Sequence, residues 1–283
     1  VSVRHPDYIS TASDIARRAG ALLLEYSARG VKTEYKGSGT VDVVTEADRA
    51  SEKLIVESLR AAFPNHGIVG EEGSRSQSAG EYIWYVDPLD GTTNFAHGFP
   101  VFCVSLGLAQ HNEVIAGVVF DPTRNELFAA ERGSGATLNG KKIRVSEVAA
   151  LGESLLGTGF PSKKRHLNPN IYFYHQLTMK THGIRRAGSA ALDLSCVASG
   201  RYDGYWEFNL NPWDTSAGVL LVEEAGGRLT HVDGSKFDVA ASRDVLATNG
   251  LIHQELKSEM HAVMQGRGLE PLPNLIEFAK SRA

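Results

Sequence analysis

Trp84-Tyr85-Val86-Asp87-Pro88-Leu89-Asp90-Gly91-Thr92-Thr93-Asn94-Phe95 runs from an apolar strand into two carboxylates, a turn and two adjacent hydroxyls. Asp87 and Asp90 lie three apart around a Pro-containing turn, so both can face one cation, and the Leu89 carbonyl between them can become a third oxygen ligand. Hard cations such as Mg2+ take an all-oxygen set of this kind. Gly91 permits close backbone approach, and the amides of Gly91 and Thr92 at the start of the next turn can hold a phosphate oxygen. Asp-Pro and Asp-Gly are also ordinary turn dipeptides. The segment alone leaves both readings open.

Two further acidic segments shift the balance. Gly67-Ile68-Val69-Gly70-Glu71-Glu72-Gly73 is a short apolar strand running into carboxylates, and Asn211-Pro212-Trp213-Asp214 places another acid where a helix should begin. Pro212 suits the first helical position, Ala217, Leu220, Leu221 and Ala225 give an apolar face, and Gly226-Gly227 supplies the stop. Asp214 then falls in the first turn, where an acid also simply complements the helix dipole. Two like charges about 4 Å apart repel by ~4 kcal/mol at an effective dielectric near 20, so four or five gathered carboxylates require cations. Without them the site should be loose or protonated.

Together the three segments resemble the inositol monophosphatase family of Mg2+-dependent, lithium-sensitive phosphatases. The resemblance rests on Gly70-Glu71-Glu72, on Asp87 to Phe95, and on Trp213-Asp214 followed by Ala217-Gly218 and Glu223-Glu224-Ala225-Gly226-Gly227, in the family's order and spacing. Arg185-Arg186, Gly188-Ser189-Ala190-Ala191-Leu192-Asp193-Leu194 and Gly200-Arg201 with Asp203-Gly204 look most like the bacterial inositol-1-monophosphatases. Recognisable matches run from about Lys36 to about Asn249.

The resemblance implies that Glu71, Asp87 and the Leu89 carbonyl hold a first Mg2+, and Asp87, Asp90 and Asp214 a second, with a third, weaker ion near Glu71. Two metals roughly 3.5–4 Å apart can clamp the attacking and leaving oxygens of an in-line displacement, which makes the reaction phosphoryl transfer to water. Glu71 and Thr92 would position the water, and Asp48 in Val43-Val44-Thr45-Glu46-Ala47-Asp48 would orient or activate Thr92. Thr45-x-x-Asp48 also reads as a helix-capping arrangement, and both roles can coexist. Gly188, Ser189, Ala190 and Glu207 match positions that meet the inositol ring, while Asp90, Gly91, Thr92 and Asp214 complete the substrate site. Glu207 in Tyr205-Trp206-Glu207-Phe208 would accept from adjacent hydroxyls; a strand glutamate is otherwise usually solvated. Leu210 or Asn211 stands where the family often has a His or Lys, a departure that bears on which substrate is taken. Lys36 matches a family lysine near a metal-proximal loop.

Composition agrees with a large buried core: 283 residues, 42% hydrophobic, net charge −4. With no apolar stretch of spanning length and no signal-peptide pattern, a cytoplasmic protein is expected, although a chain that begins at Val1 leaves its true start open. Cys103 and Cys196, the two cysteines, each lie in an apolar stretch and are expected as buried thiols rather than a disulfide or zinc pair. Ten histidines show no metal-binding spacing.

Helical periodicity is expected over 8–28 and 46–63, with strands near 68, 82–86, 102–109, 114–120 and 127–131. Asn139-Gly140 signals a hairpin before a strand at 143–145. The second half alternates: strand 155–159, helix 172–181, strand 184–187, helix 190–198, strand 202–208, helix 213–225, strands 227–231 and 245–248, and helix 251–264. The fold class is α/β (α+β), with layers of helices and sheets in the αβαβα order of the sugar phosphatases that the resemblance implies. The two halves, about 1–140 and 141–283, are read as one domain because their carboxylates must meet. The tail beyond 264 is expected to be exposed or in a dimer contact; the family is commonly homodimeric.

Rival enzymes with the same metal chemistry are fructose-1,6-bisphosphatase, 3′-phosphoadenosine 5′-phosphate phosphatase and histidinol-phosphate phosphatase. Thr93-Asn94-Phe95 looks like the inositol branch rather than the nucleotide branch, which usually carries a Lys after the first threonine. A different class is a non-catalytic module, since bacterial relatives are associated with RNA-processing and transcription complexes. The basic clusters Lys163-Lys164-Arg165-His166 and Arg185-Arg186, on a chain of net −4, make a poor autonomous nucleic-acid binder. Such an association would run through protein contacts.

Overall fold

A computed structural model of the chain describes residues 7–29, 33–35, 43–76, 81–160, 168–241 and 243–281. Lys36 and the basic run 163–166 lie outside them.

The apolar positions 12, 15, 16, 19 and 23 line the buried face of α1 (Tyr8–Arg29). A short antiparallel pair, β1 (Thr33–Tyr35) and β2 (Val43–Thr45), leads into α2 (Glu46–Ala62), which buries Ile55, Val56 and Leu59. An eight-stranded sheet follows from β3 (Gly67–Gly70), β4 (Arg75–Ser76), β5 (Tyr82–Asp90), β6 (Cys103–Gln110), β7 (Glu113–Asp121), β8 (Glu126–Glu131), β9 (Gly135–Leu138) and β10 (Lys141–Lys142). Its order is β10-β9-β8-β7-β6-β5-β3-β4, and the β3–β5 pair alone is parallel. The short α3 (Thr92–Ala96) follows β5.

The second sheet is built from β11 (Leu155–Thr158), β12 (Gly183–Arg185), β13 (Gly204–Phe208), β14 (Arg228–Thr230) and β15 (Asp244–Thr248), in the order β12-β11-β13-β15-β14. Its helices are α4 (Asn170–Thr178), α5 (Ala190–Ala198), α6 (Pro212–Glu224) and α7 (His253–Met264), with a last short α8 (Leu275–Lys280).

Strand alternation distributes the apolar side chains into three cores. Trp84 and Val86 face α1 and α2, whereas Tyr85 between them joins α5, α6 and Tyr205 in the space between the sheets. Trp206, one residue on from Tyr205, faces the opposite way, toward Phe173 of α4 and Leu256 of α7. The layers therefore read helix, sheet, helix, sheet, helix, the αβαβα order expected.

Close approach of α6 to the first sheet is what carries Asp214 toward β5. A Cβ at Gly107 would lie 2.3 Å from Ser216 Oγ, and one at Gly117 2.9 Å from Ala217 Cα. Both strand glycines are thus required by the helix laid across them.

Several expectations need correction. The strand placed at 143–145 is found at Lys141–Lys142, because Asn139 (φ 50°) and Gly140 (φ 77°) form the whole turn and Leu138 pairs at once with Lys141. Strand 184–187 is shifted to Gly183–Arg185 by its register with β11, Leu155 facing Gly183. Helix 172–181 runs over Asn170–Thr178, and strand 202–208 starts at Gly204 because Asp203 instead accepts from Leu155 N (2.6 Å) and Ser146 Oγ (2.5 Å) at a corner. Cys103 is buried as expected, but Cys196 is only partly so. The tail is exposed, yet carries α8, capped by Asn274.

Candidate metal and phosphate site

In a regular strand, side chains three residues apart point to opposite faces. Asp87 pairs with Ser105 and Asp90 with Cys103, so three steps along β5 match two along β6. The extra residue is a bulge at Pro88-Leu89, and it returns both aspartates to one face. Gly91, at φ 95°, then turns the chain into α3; a Cβ there would sit 2.7 Å from Val101 O.

Each aspartate commits one oxygen to the protein. Asp87 Oδ1 accepts from Leu89 N (3.0 Å). Asp90 Oδ2 accepts from Ser189 Oγ (2.7 Å) and Ala191 N (2.8 Å), with the Cys103 thiol 3.9 Å away. Asp214 Oδ2 accepts from Asn211 N (2.6 Å) and Asn211 Nδ2 (3.2 Å) in the first turn of α6. Glu71 follows β3, and its N–H donates to Val86 O (3.2 Å), which sets it beside Asp87.

Burial, then the charges of Glu71, Asp90 and Asp214, pushes the Asp87 carboxyl well above its ordinary value. Asp214 is raised well above its usual range by burial and then Glu71; Asp90 is raised by burial, against the bonds it receives from Ser189 and Ala191. Four mutually repelling carboxylates and the Leu89 carbonyl are the donor chemistry of a hard cation. Each committed oxygen leaves its partner for a metal, so the residues fit the ion the family resemblance implies. Among the described residues no three His, Cys, Asp or Glu side chains are gathered closely enough to hold a metal ion as they stand.

Beside the carboxylates lies a hydroxyl relay. Thr92 Oγ1 is 3.0 Å from both Asp48 Oδ1 and the Leu89 carbonyl. Asp48, 1% exposed, also accepts from Thr45 N (2.8 Å) and Thr45 Oγ1 (2.5 Å), so it caps α2 and holds Thr92 together. Burial raises its pKa, opposed by the Thr45 and Thr92 bonds. Asp48→Asn is expected to lower turnover about 100-fold while costing about 1 kcal/mol of stability. Turnover and chemical denaturation of the variant measure the two effects, and native turnover would remove Asp48 from the chemistry.

The residues matched to ring contacts gather at the start of α5 and on β13. Ser189 is 2% exposed, and its hydroxyl caps α5 and donates to Asp90. Gly188 and Ala190 flank it, with Gly188 against the Asn94 amide. Glu207 is half-buried and hydrogen-bonded to Tyr205 Oη; burial and the nearby Asp90 push it up to about 7. Because this carboxyl is raised in the folded state, stability should fall as pH rises from the ordinary glutamate range to about 7. Below pH 7 the protonated group loses acceptor capacity. The KM for a polyol phosphate should therefore rise between pH 8 and pH 6, and Glu207→Gln should raise it about tenfold and flatten that change; parallel pH profiles for native and variant would contradict this.

Two contributors escaped sequence reasoning, and a third, Asn94, was quoted only as part of a motif. Ser51 Oγ donates to Pro88 O (2.8 Å), Glu52 accepts from the 72–74 backbone, and Asn94 Nδ2 donates to Val101 O (2.8 Å) and Ala187 O (2.9 Å). Ser51 and Glu52 stand three and four residues beyond Asp48 on α2, a helical spacing that could have found them.

The inositol monophosphatase family model matches residues 6–265. The inositol-1-monophosphatase of Synechocystis sp. is 45% identical over 260 residues, 91% of this chain and 90% of that protein. The Nus factor SuhB of Pseudomonas aeruginosa is 46% identical over 233 residues, 80% of this chain and 86% of that one. The solved inositol monophosphatase of Anabaena superposes with a TM-score of 0.82 at 43% identity, covering 94% of this chain and 97% of that structure. The chain belongs to the inositol monophosphatase family, whose members are generally metal-dependent, and is a phosphatase acting on phosphoric monoesters.

Proposed function

We propose that the chain is a Mg2+-dependent inositol monophosphatase, releasing myo-inositol and phosphate by in-line attack of water. The observation that carries this is the bulge that turns Asp87 and Asp90 to one face, with Glu71 and Asp214 acting electrostatically on Asp87. Glu71, Asp87, the Leu89 carbonyl, Asp90 and Asp214 hold two Mg2+ ions, with a weaker third near Glu71. When bound, Mg2+ supplies positive charge for the phosphate oxygens and acidity for the attacking water.

The chain's own groups do the positioning. Thr92 and Glu71 orient the water, and as its proton passes to the Thr92 oxygen Thr92 hands its own to Asp48. The Gly91 and Thr92 amides, at the start of α3, face phosphate oxygens. Gly188 and Ala190 pack on the ring through backbone and methyl, and Glu207 accepts from its hydroxyls. No helix among the described residues is long and apolar enough to cross a membrane. We read the two halves as one cooperative domain, supported by the Asp90–Ser189 and Asp90–Ala191 bonds that join them, and the chain as a homodimer.

The test is Mg2+-dependent phosphate release from inositol-1-phosphate, fructose-1,6-bisphosphate, 3′-phosphoadenosine 5′-phosphate and histidinol phosphate. Preference for inositol-1-phosphate is expected; preference for another member reassigns the substrate, and release from none overturns the catalytic reading. The name of the P. aeruginosa relative favours a second reading, association with a transcription complex through protein contacts.

A further inference from the structure

We infer that Glu52 is a positioning residue for Glu71, and through it for the cation that Glu71 serves. Glu52 sits on α2, 4% exposed, four residues beyond Asp48. Its Oε2 accepts from Glu72 N (2.8 Å) and its Oε1 from Ser74 N (3.0 Å). The turn between β3 and β4 is thus wrapped around a buried carboxylate, and Gly70 N closes it by donating to Ser74 O (2.8 Å).

Glu71 is fixed from both sides. Its own N–H bonds to Val86 O, next to Asp87, and the following N–H bonds to Glu52. The backbone either side of the Glu71 side chain is therefore tied to β5 and to α2, the elements that carry Asp87 and Asp48. Both Glu52 oxygens act as acceptors, which only a carboxylate can do; a glutamine would turn an NH2 toward one of the two N–H donors. Gly70 shows how close the carboxylate lies: a Cβ there would meet Glu52 Oε2 at 2.5 Å and Cδ at 2.8 Å. Side chains that orient ligands without touching the metal typically change its affinity 10–100-fold when replaced.

This inference rests on reading Glu71 as a metal ligand, and its test separates the two. Mg2+ is titrated calorimetrically into native protein, Glu52→Gln, Gly70→Ala and, as a control on the exposed face of the same helix, Glu57→Gln. Amide hydrogen exchange at Glu72 and Ser74 is followed in the metal-free proteins. Glu52→Gln should weaken Mg2+ binding about tenfold or more and speed exchange at both amides. Gly70→Ala keeps the charge but pushes on the carboxylate, so it should act in the same direction, and it decides the matter if Glu52→Gln does not fold. Glu57→Gln should change neither. Native Mg2+ affinity in a folded Glu52→Gln, or in Gly70→Ala where that variant stands in, overturns the inference alone. Native protein that binds no Mg2+ overturns it together with the metal reading.

Discussion

Asp90→Asn is expected to lower Mg2+-dependent phosphate release by about a thousandfold or more, ~4 kcal/mol of transition-state stabilisation. The substitution keeps shape and removes a charge, but its effect comes from an impossible choice of rotamer. Asp90 Oδ2 receives Ser189 Oγ and Ala191 N at 2.7 and 2.8 Å. An asparagine that keeps its oxygen there must turn its NH2 toward the cation, which an amide nitrogen does not ligate. The alternative rotamer offers an oxygen to the metal and sets an NH2 against two donors at the buried start of α5. Either way one partner is lost. Because Ala190 opens α5 and Gly188 lies just before its cap, the second rotamer would disturb the ring site as well. A variant turning over within tenfold of native would show that Asp90 does not serve the reacting phosphate. A fall in Mg2+ affinity with unchanged kcat at saturating Mg2+ would confine it to binding.

How much of this could be read from the chain varies by residue. The quoted segment shows two aspartates at a turn, but not why they share a face; that depends on the pairing of Asp87 with Ser105 and Asp90 with Cys103, a property of β6 as much as of β5. Asp214 was legible because Pro212 and the Gly226-Gly227 stop fix a helix around it locally. Its approach to β5 was not, since it requires Gly107 and Gly117, more than ninety residues earlier in the chain, to leave room for α6. Ser189 shows a different limit. The resemblance matched it to a position that meets the ring, but could not show that its hydroxyl also bonds to Asp90 and caps α5, because spacing gives no side-chain direction. Ser51 and Glu52 failed for a physical reason: polar positions on an amphipathic helix ordinarily face water. Here the β5 bulge and the 70–74 turn fold over that face and bury it.

Removing divalent metal should steepen the fall of stability with rising pH. In the metal-free protein, burial and then Glu71, Asp90 and Asp214 hold the Asp87 carboxyl well above its unfolded value, and Asp214 is raised in the same way. An acid with a raised folded pKa binds more protons folded than unfolded once pH exceeds the unfolded value near 4. Stability is then lost as pH rises, until the folded group itself ionises. Chelated protein should therefore unfold at a falling Tm from pH 5 to pH 8, in one calorimetric transition if the two halves act as a unit. Added Mg2+ favours the ionised carboxylates, so its stabilisation should grow over the same range. At a hundredfold excess over Kd one site contributes roughly 2.7 kcal/mol, or several degrees of Tm for a chain of this size. Asp87→Asn isolates the cause. It removes the carboxylate that faces three others, so it should raise the metal-free Tm and abolish both the Mg2+ shift and the phosphatase activity. A variant less stable than native without metal would mean that Asp87 is held by protein bonds such as Leu89 N rather than strained by its neighbours, and a native Tm indifferent to Mg2+ would remove the metal site itself.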